Sequence, residues 1–241
     1  MRRNTTRKNR QPAAWKQLAD GRLDRAIFLD FESFKTGPPV LAGVQIDGHF
    51  EQVVFDPRLR QAADHKGLEV VDSNRWLRWL VERAVREDRL IVAFSTAESR
   101  TFAELDIPLP ADRYVNALKI AKTWRWKLHR GVAKQVRANR KRWKNSAKNH
   151  LRNRWFFREG NRLIDFAKLA DVTPPGRYGS GKVTTWLKTI LGQLDRKNDF
   201  ALLTSRAKGK WTSVLNHNRF DVVGLAEALG RIVNDLRPPA R

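Results

Sequence analysis

Four carboxylates sit where their neighbours are apolar: Asp30 and Glu32 in AIFLDFESF, Glu98 just beyond LIVAF, and Asp221 in HNRFDVVGLAEALGRIVNDL. Burying such charges unpaired costs several kcal/mol each, and a divalent cation removes that cost. All-oxygen ligation suits Mg²⁺ or Mn²⁺. A pair of such ions ~3.5–4 Å apart can activate a water and stabilise the leaving oxygen of a phosphodiester. His217 precedes Asp221 by four positions, one helical turn, so both side chains point the same way. An imidazole that is largely neutral at physiological pH can take the proton from the attacking water, which makes His217 the candidate general base. The candidate ligands of two Mg²⁺ or Mn²⁺ ions are Asp30, Glu32, Glu98 and Asp221.

The elements that must position these groups follow from pattern. In the first apolar run Ile27, Leu29 and Phe31 alternate with Phe28, Asp30 and Glu32, which places both acids on one strand face. VLAGVQI and FEQVVF flank Asp47-Gly48, a favoured two-residue hairpin turn, so three antiparallel strands are expected. Asp72 or Ser73 caps a helix through NRWLRWLVERAVRED, with Trp76, Leu77, Leu80, Val81 and Ala84 on its buried side. LIVAF reads as a buried strand. The next helix takes Thr96 as cap and places Glu98 in its first turn. Toward the end come NRLIDFAKLAD, a VTTWLKTILGQL helix ending near Gly192, and a closing helix from His217. Strands followed by alternating helix and strand give an α/β class.

The 241 residues suffice for one large domain or two small ones, and nine Trp with twelve Phe exclude a wholly disordered chain. No apolar run approaches the ~20 residues of a bilayer span, and no apolar segment follows the basic start, so a soluble, cytoplasmic protein is expected. With no Cys and five His, thiol nucleophiles, zinc fingers and iron–sulfur clusters are excluded or left with few ligands. Net charge is +23, and two pieces hold nearly all of it: residues 1–25 carry +6 and residues 119–158 carry +15 without one acid, leaving +2 elsewhere. A nearly neutral body with cationic attachments points to a polyanionic partner, nucleic acid before any other. The domain reading is a basic disordered arm over 1–22, with little order before Leu23, and one domain over 23–241. A basic helical insertion at about 119–158 interrupts that domain.

On the insertion, Leu118, Ala121, Leu128, Val132 and Val136, then Trp143, Ala147, Leu151 and Trp155, fall on one apolar stripe, with a bend at Gly131. Around it the candidate strand-holding residues are Arg125, Trp126, Lys127, Arg130, Lys134, Arg137, Arg140, Lys141, Arg142, Lys144, Lys148, Arg152 and Arg154. Aromatics among cations can stack unpaired bases while Arg and Lys hold phosphates, and Trp126, off the stripe, is the best stacking candidate. GRYGSGKV (176–183) falls short of a phosphate-binding P-loop because Val183 stands where Ser or Thr is required. Lys182 remains a candidate phosphate contact.

The residues LDFES, an antiparallel pair, IVAFSTAE, LIDFAKL, GSGKVTTWLKTILG and HNRFD together resemble the DEDD exonucleases of the ribonuclease H-like superfamily. Within it they are similar to the ribonuclease H-like domain of predicted RecB-type nucleases. The resemblance covers about 26–116 and 159–235 and leaves the basic insertion outside. It implies a ribonuclease H-like mixed sheet, antiparallel strands 1–3 plus parallel strands, flanked by helices. It further implies a two-metal 3′→5′ exonuclease in which Asp30 and Glu32 match the first motif, Asp221 the last, and His217 the histidine four positions before it. The second motif departs: the family places an Asp in a helix there, and this chain has Glu98. Asp165 in LIDFAKL is a further acid, read as structural. The rival reading is a nucleic-acid-binding protein that keeps such a fold without catalysis.

Overall fold

The computed structural model describes residues 14–18, 21–34, 37–144, 160–175, 178 and 182–237; of Ala14 and 142–144 it describes the backbone only. Six strands form one mixed sheet: β1 (Ile27–Ser33), β2 (Pro39–Ile46), β3 (His49–Val54), β4 (Glu69–Val70), β5 (Ile91–Ala93) and β6 (Tyr114–Asn116). Their spatial order is β4-β3-β2-β1-β5-β6. The first three pair antiparallel, and β4, β5 and β6 each join their neighbours in parallel. The turn between β2 and β3 has φ of 51° at Asp47 and 81° at Gly48. Two successive positive φ values match the right-handed twist of a two-residue hairpin, as Asp-Gly predicts.

The helices are α1 (Arg60–Asp64), α2 (Ser73–Arg86), α3 (Ala97–Glu104), α4 (Ala117–Leu128), α5 (Arg130–Lys144), α6 (Leu163–Leu169), α7 (Val183–Lys197), α8 (Ser205–Arg219) and α9 (Leu225–Leu236). A π-helical segment, Phe220–Gly224, joins α8 to α9. Asp72 caps α2 by accepting from the backbone N–H of Arg75 at 2.8 Å. Among the described residues no helix is long and apolar enough to cross a membrane.

The strand alternation decides which face carries the acids. Ile27 and Leu29 of β1 pack with Leu77 and Leu80 of α2, whereas Phe28 packs with Trp124 of α4 and Leu229 of α9. Asp30 and Glu32, two and four residues past Phe28, therefore lie on the α9 side. A third cluster seats Leu187 of α7 and Trp211 of α8 on Leu41 and Val54. Each fully buried Leu or Phe contributes about 1.5–3 kcal/mol, so the sheet is clamped on both faces around β1.

Several expectations change. Order begins before Leu23: Ala14–Leu18 forms a 3-10 turn, and Leu18 is fully buried in the α9-side core. The VTTWLK helix runs past Gly192 to Lys197 and stops at Asn198, whose left-handed φ of 50° ends the helical turn. The basic run bends at His129 rather than at Gly131. Because that break resets the helical phase, the single stripe fails: Leu128 and Val132 are exposed, and α4 instead buries Ala117, Ile120, Ala121, Trp124 and Arg125. His217 lies in the last turn of α8, not at the start of a closing helix, and Asp221 belongs to the π segment. Asp165 is structural, as read: it accepts from the backbone N–H of Arg162 and pairs with its guanidinium at 2.9 Å.

Candidate metal centre

Three chain segments bring the acids together. β1 supplies Asp30 and Glu32, the first turn of α3 supplies Glu98 just past β5, and the α8–π junction supplies His217 and Asp221. His217 Nε2 lies 3.5 Å from Asp221 Oδ2 and 3.9 Å from Glu32 Oε1. One ligand atom each from Glu32, His217 and Asp221 can be chosen so that all lie within 4.8 Å of one another. Glu32, Glu98 and His217 are buried, and Asp30 and Asp221 are partly buried.

The electrostatics is that of an uncompensated acidic cluster. Burial, followed by repulsion from Asp221, Glu32 and Glu98, holds Asp30 well above the ordinary carboxylate range. Glu32 is raised by burial and by Asp221 and Glu98. Burial raises Glu98, against a hydrogen bond from Ser95. Asp221 is pushed up to about 7, again chiefly by burial. His217 is pushed down to about 4 by burial, which keeps its imidazole neutral at physiological pH.

Side chains that the sequence did not mark hold these groups. Asp30, Gly43 and Gln52 stand in one row across β1, β2 and β3. Asn218 sits over that row: its Nδ2 donates to Asp30 Oδ2 at 3.0 Å, and its Oδ1 accepts from Gln52 Nε2 at 2.8 Å. Gly43 leaves room for it, since a Cβ there would meet Asn218 Oδ1 at 2.2 Å. Tyr178 donates from Oη to Asp221 Oδ1 at 2.6 Å, and its ring packs 4.5 Å from His217 and 4.8 Å from Phe220. Ser95, not Thr96, serves the start of α3: its Oγ accepts from the Ala97 N–H and donates to Glu98 Oε2 at 3.2 Å. Only the proximity of Asn218 to the HxxxD spacing and of Tyr178 to the glycine-rich GRYGSGK hinted at them in sequence.

The residues fit a divalent cation. Glu32 Oε1 is buried with no hydrogen-bond partner, beside three further acids that raise one another. His217 Nδ1 is likewise buried and unpartnered, and Nε2 is the ring nitrogen that lies against Glu32 and Asp221.

The basic candidates divide. Trp126 is 45% exposed, with the Arg130 guanidinium over its ring at 5.6 Å. Lys127, Arg130, Lys134, Arg137, Arg140 and Lys141 are exposed along α4 and α5. Arg125 differs from these in being buried: it stacks 4.5 Å over Phe166, and it donates to the Gly160 carbonyl and to Asn161 Oδ1. Trp124 is buried and donates to Asp235. Lys182 is exposed directly before α7, whose Thr184 hydroxyl donates to the Ser33 carbonyl at the end of β1. Lys148, Arg152 and Arg154 lie outside the described residues, as do the side chains of Arg142 and Lys144. Compared with known proteins, the chain matches no family model, no curated protein and no solved structure.

Proposed function

We propose that the protein is a metal-dependent nuclease with a ribonuclease H-like fold, hydrolysing phosphodiester bonds of DNA or RNA, with 3′→5′ exonuclease action as the resemblance implies. The observation that carries the reading is the meeting of Glu32 and Asp221 at the Nε2 of a neutral His217, with Asp30 and Glu98 close enough to act on the same acids. The strand order, with an antiparallel β1–β3 unit and parallel β5 and β6 beside β1, is compatible with that fold.

Asp30, Glu32, Glu98 and Asp221 would hold Mg²⁺ or Mn²⁺. Bound there, two such ions supply Lewis acidity to the attacking and leaving oxygens. The chain's own groups do the rest. His217 accepts the proton of the attacking water at Nε2 in the tautomer that carries its own proton on Nδ1, because burial keeps the imidazole neutral. Tyr178 fixes one oxygen of Asp221 and walls the imidazole, so the other oxygen and Nε2 face the reacting centre. Asn218 fixes one oxygen of Asp30 in the same manner. The exposed cations of α4 and α5 hold the polyanion, and Trp126 offers a ring for an unpaired base.

The test uses labelled single-stranded DNA and RNA with the purified chain, in Mn²⁺ and in chelator. Wild type shortens the substrate only with metal. Asp30→Asn drops cleavage to background and retains affinity in chelator. Unchanged substrate together with a strong gel shift would establish a binder instead of an enzyme.

A further inference from the structure

Between α4, α5 and the turn at 160–161 lies a cleft of about 550 Å³ lined by Lys122, Arg125, Arg137, Arg140, Lys141 and Asn161 over Ala133 and Val136. None of these described lining residues is an acid. Gly160 closes the end of the cleft at a φ of 72°, so tightly that a Cβ there would meet Val136 at 2.5 Å. Arg125 spends both terminal nitrogens on that turn, and its buried Nε has no partner. Asn161 presents its Oδ1 to Arg125 and leaves a buried Nδ2 unpartnered as well. Two orphaned buried donors in one cleft, under a rim of cations, are a defined demand for an anionic acceptor.

We propose that this cleft is a phosphate seat for a nucleic-acid strand, separate from the acidic cluster. The proposal rests on the nucleic-acid reading above and adds where the strand is held. Lys122 is held below its ordinary value by burial and then by repulsion from Arg140 and Arg125, a conflict that a bound phosphate relieves. Trp126 lies one helical turn beyond Lys122 and is exposed, so a base can stack there while its phosphate occupies the cleft. That juxtaposition favours a strand over a free phosphate ion. The distance also suits a strand. Trp124, next to Arg125, bonds Asp235, which stands fourteen residues along the π–α9 run from Asp221. At 1.5 Å per residue that run is about 20 Å long, the length of roughly six stacked nucleotides at ~3.4 Å each.

The experiment is done on the full chain in chelator, with two double variants of exposed residues. Lys122→Ala with Arg137→Ala removes two cations of the rim, and Arg60→Ala with Lys66→Ala removes equal charge from the region of α1. Melting temperature with tripolyphosphate and anisotropy with a labelled single-stranded 12-mer across a salt series are the readouts. The rim variant is expected to lose the tripolyphosphate-induced rise in melting temperature. It should bind the 12-mer about tenfold more weakly, with a salt slope shallower by ~1.4, since each single-strand phosphate contact contributes ~0.7. The α1 variant should match wild type in both. A wild type without any tripolyphosphate response, or two variants that respond alike, overturns the seat. Loss of the tripolyphosphate response with 12-mer binding intact overturns its assignment to a strand. Neither readout requires cleavage, so an inactive protein that passes both tests refutes the nuclease reading and leaves the seat standing.

Discussion

The acidic cluster and the basic hairpin carry opposite charge and are built on opposite principles. In the cluster the charges are buried, they raise one another, and a short row of fitted side chains fixes their positions. On α4 and α5 most charges point into solvent, are screened by salt and act as a sum. Geometry limits the first region and charge count limits the second. Single substitutions should therefore act all-or-none at the acids and by degrees on the hairpin. The Arg125 cleft is the place where the hairpin adopts the cluster's strategy, with buried donors in fixed positions.

The largest effect expected from outside the acids is that of Gly43→Ala. The added Cβ drives Asn218 off Asp30 without touching a carboxylate, so metal affinity and cleavage should fall by ~10–100-fold, the usual effect of removing a group that orients a ligand. Adding Asn218→Ala relieves the clash. Melting temperature should then recover while metal affinity stays low, and recovery of both in calorimetric titration would show that Asn218 has no orienting role.

A smaller and more selective effect is expected on the hairpin. Trp126→Ala should weaken binding of a single strand by about 1–3 kcal/mol, the worth of one stacked base, and leave binding of duplex and the melting temperature unchanged. Equal loss for duplex and single strand would remove stacking from the account.

The smallest effect concerns pH. Asp221, pushed up to about 7, and the raised Asp30 and Glu32 retain protons in the folded chain that the unfolded chain releases. Asp221 adds stability as pH falls from about 7 toward its ordinary value of 3.8, and Asp30, Glu32 and Glu98, all raised, act in the same direction. His217, pushed down to about 4, acts in the opposite direction between about 4 and 6.5, one imidazole against four acids. Exposed Asp47 and Asp88, lowered by Arg89 and Arg113, lose their contribution only below the ordinary range. Metal-free protein should thus melt about 2–4 °C higher at pH 5.5 than at pH 7.5, and Asp221→Asn should remove much of that difference. A lower melting point at pH 5.5 would mean that burial and repulsion do not raise these acids in the fold.

What could be read in advance was what is local. The alternation in IFLDFES put Asp30 and Glu32 on one face, Asp47-Gly48 set the hairpin, Asp72 capped α2, and the four-residue spacing paired His217 with Asp221. Contacts between distant segments were hidden. Asn218 meets Asp30 across 188 positions, and Tyr178 reaches Asp221 from a loop whose pattern has no period. The π segment is a change in hydrogen bonding that no composition marks. β4 and β6, of two and three residues, are too short to show alternation. Nothing local marks Arg125 as a buried cation, because its acceptors, Gly160 and Asn161, lie 35 and 36 residues away.

The most direct test of the acidic cluster is calorimetric titration of Mn²⁺ into metal-free protein at pH 7.5, with wild type, Asp30→Asn and the Lys122→Ala/Arg137→Ala variant side by side. Saturable uptake of two ions by wild type and by the rim variant, lost in Asp30→Asn, is the predicted result. Uptake that is absent in wild type, or unchanged in Asp30→Asn, would contradict it.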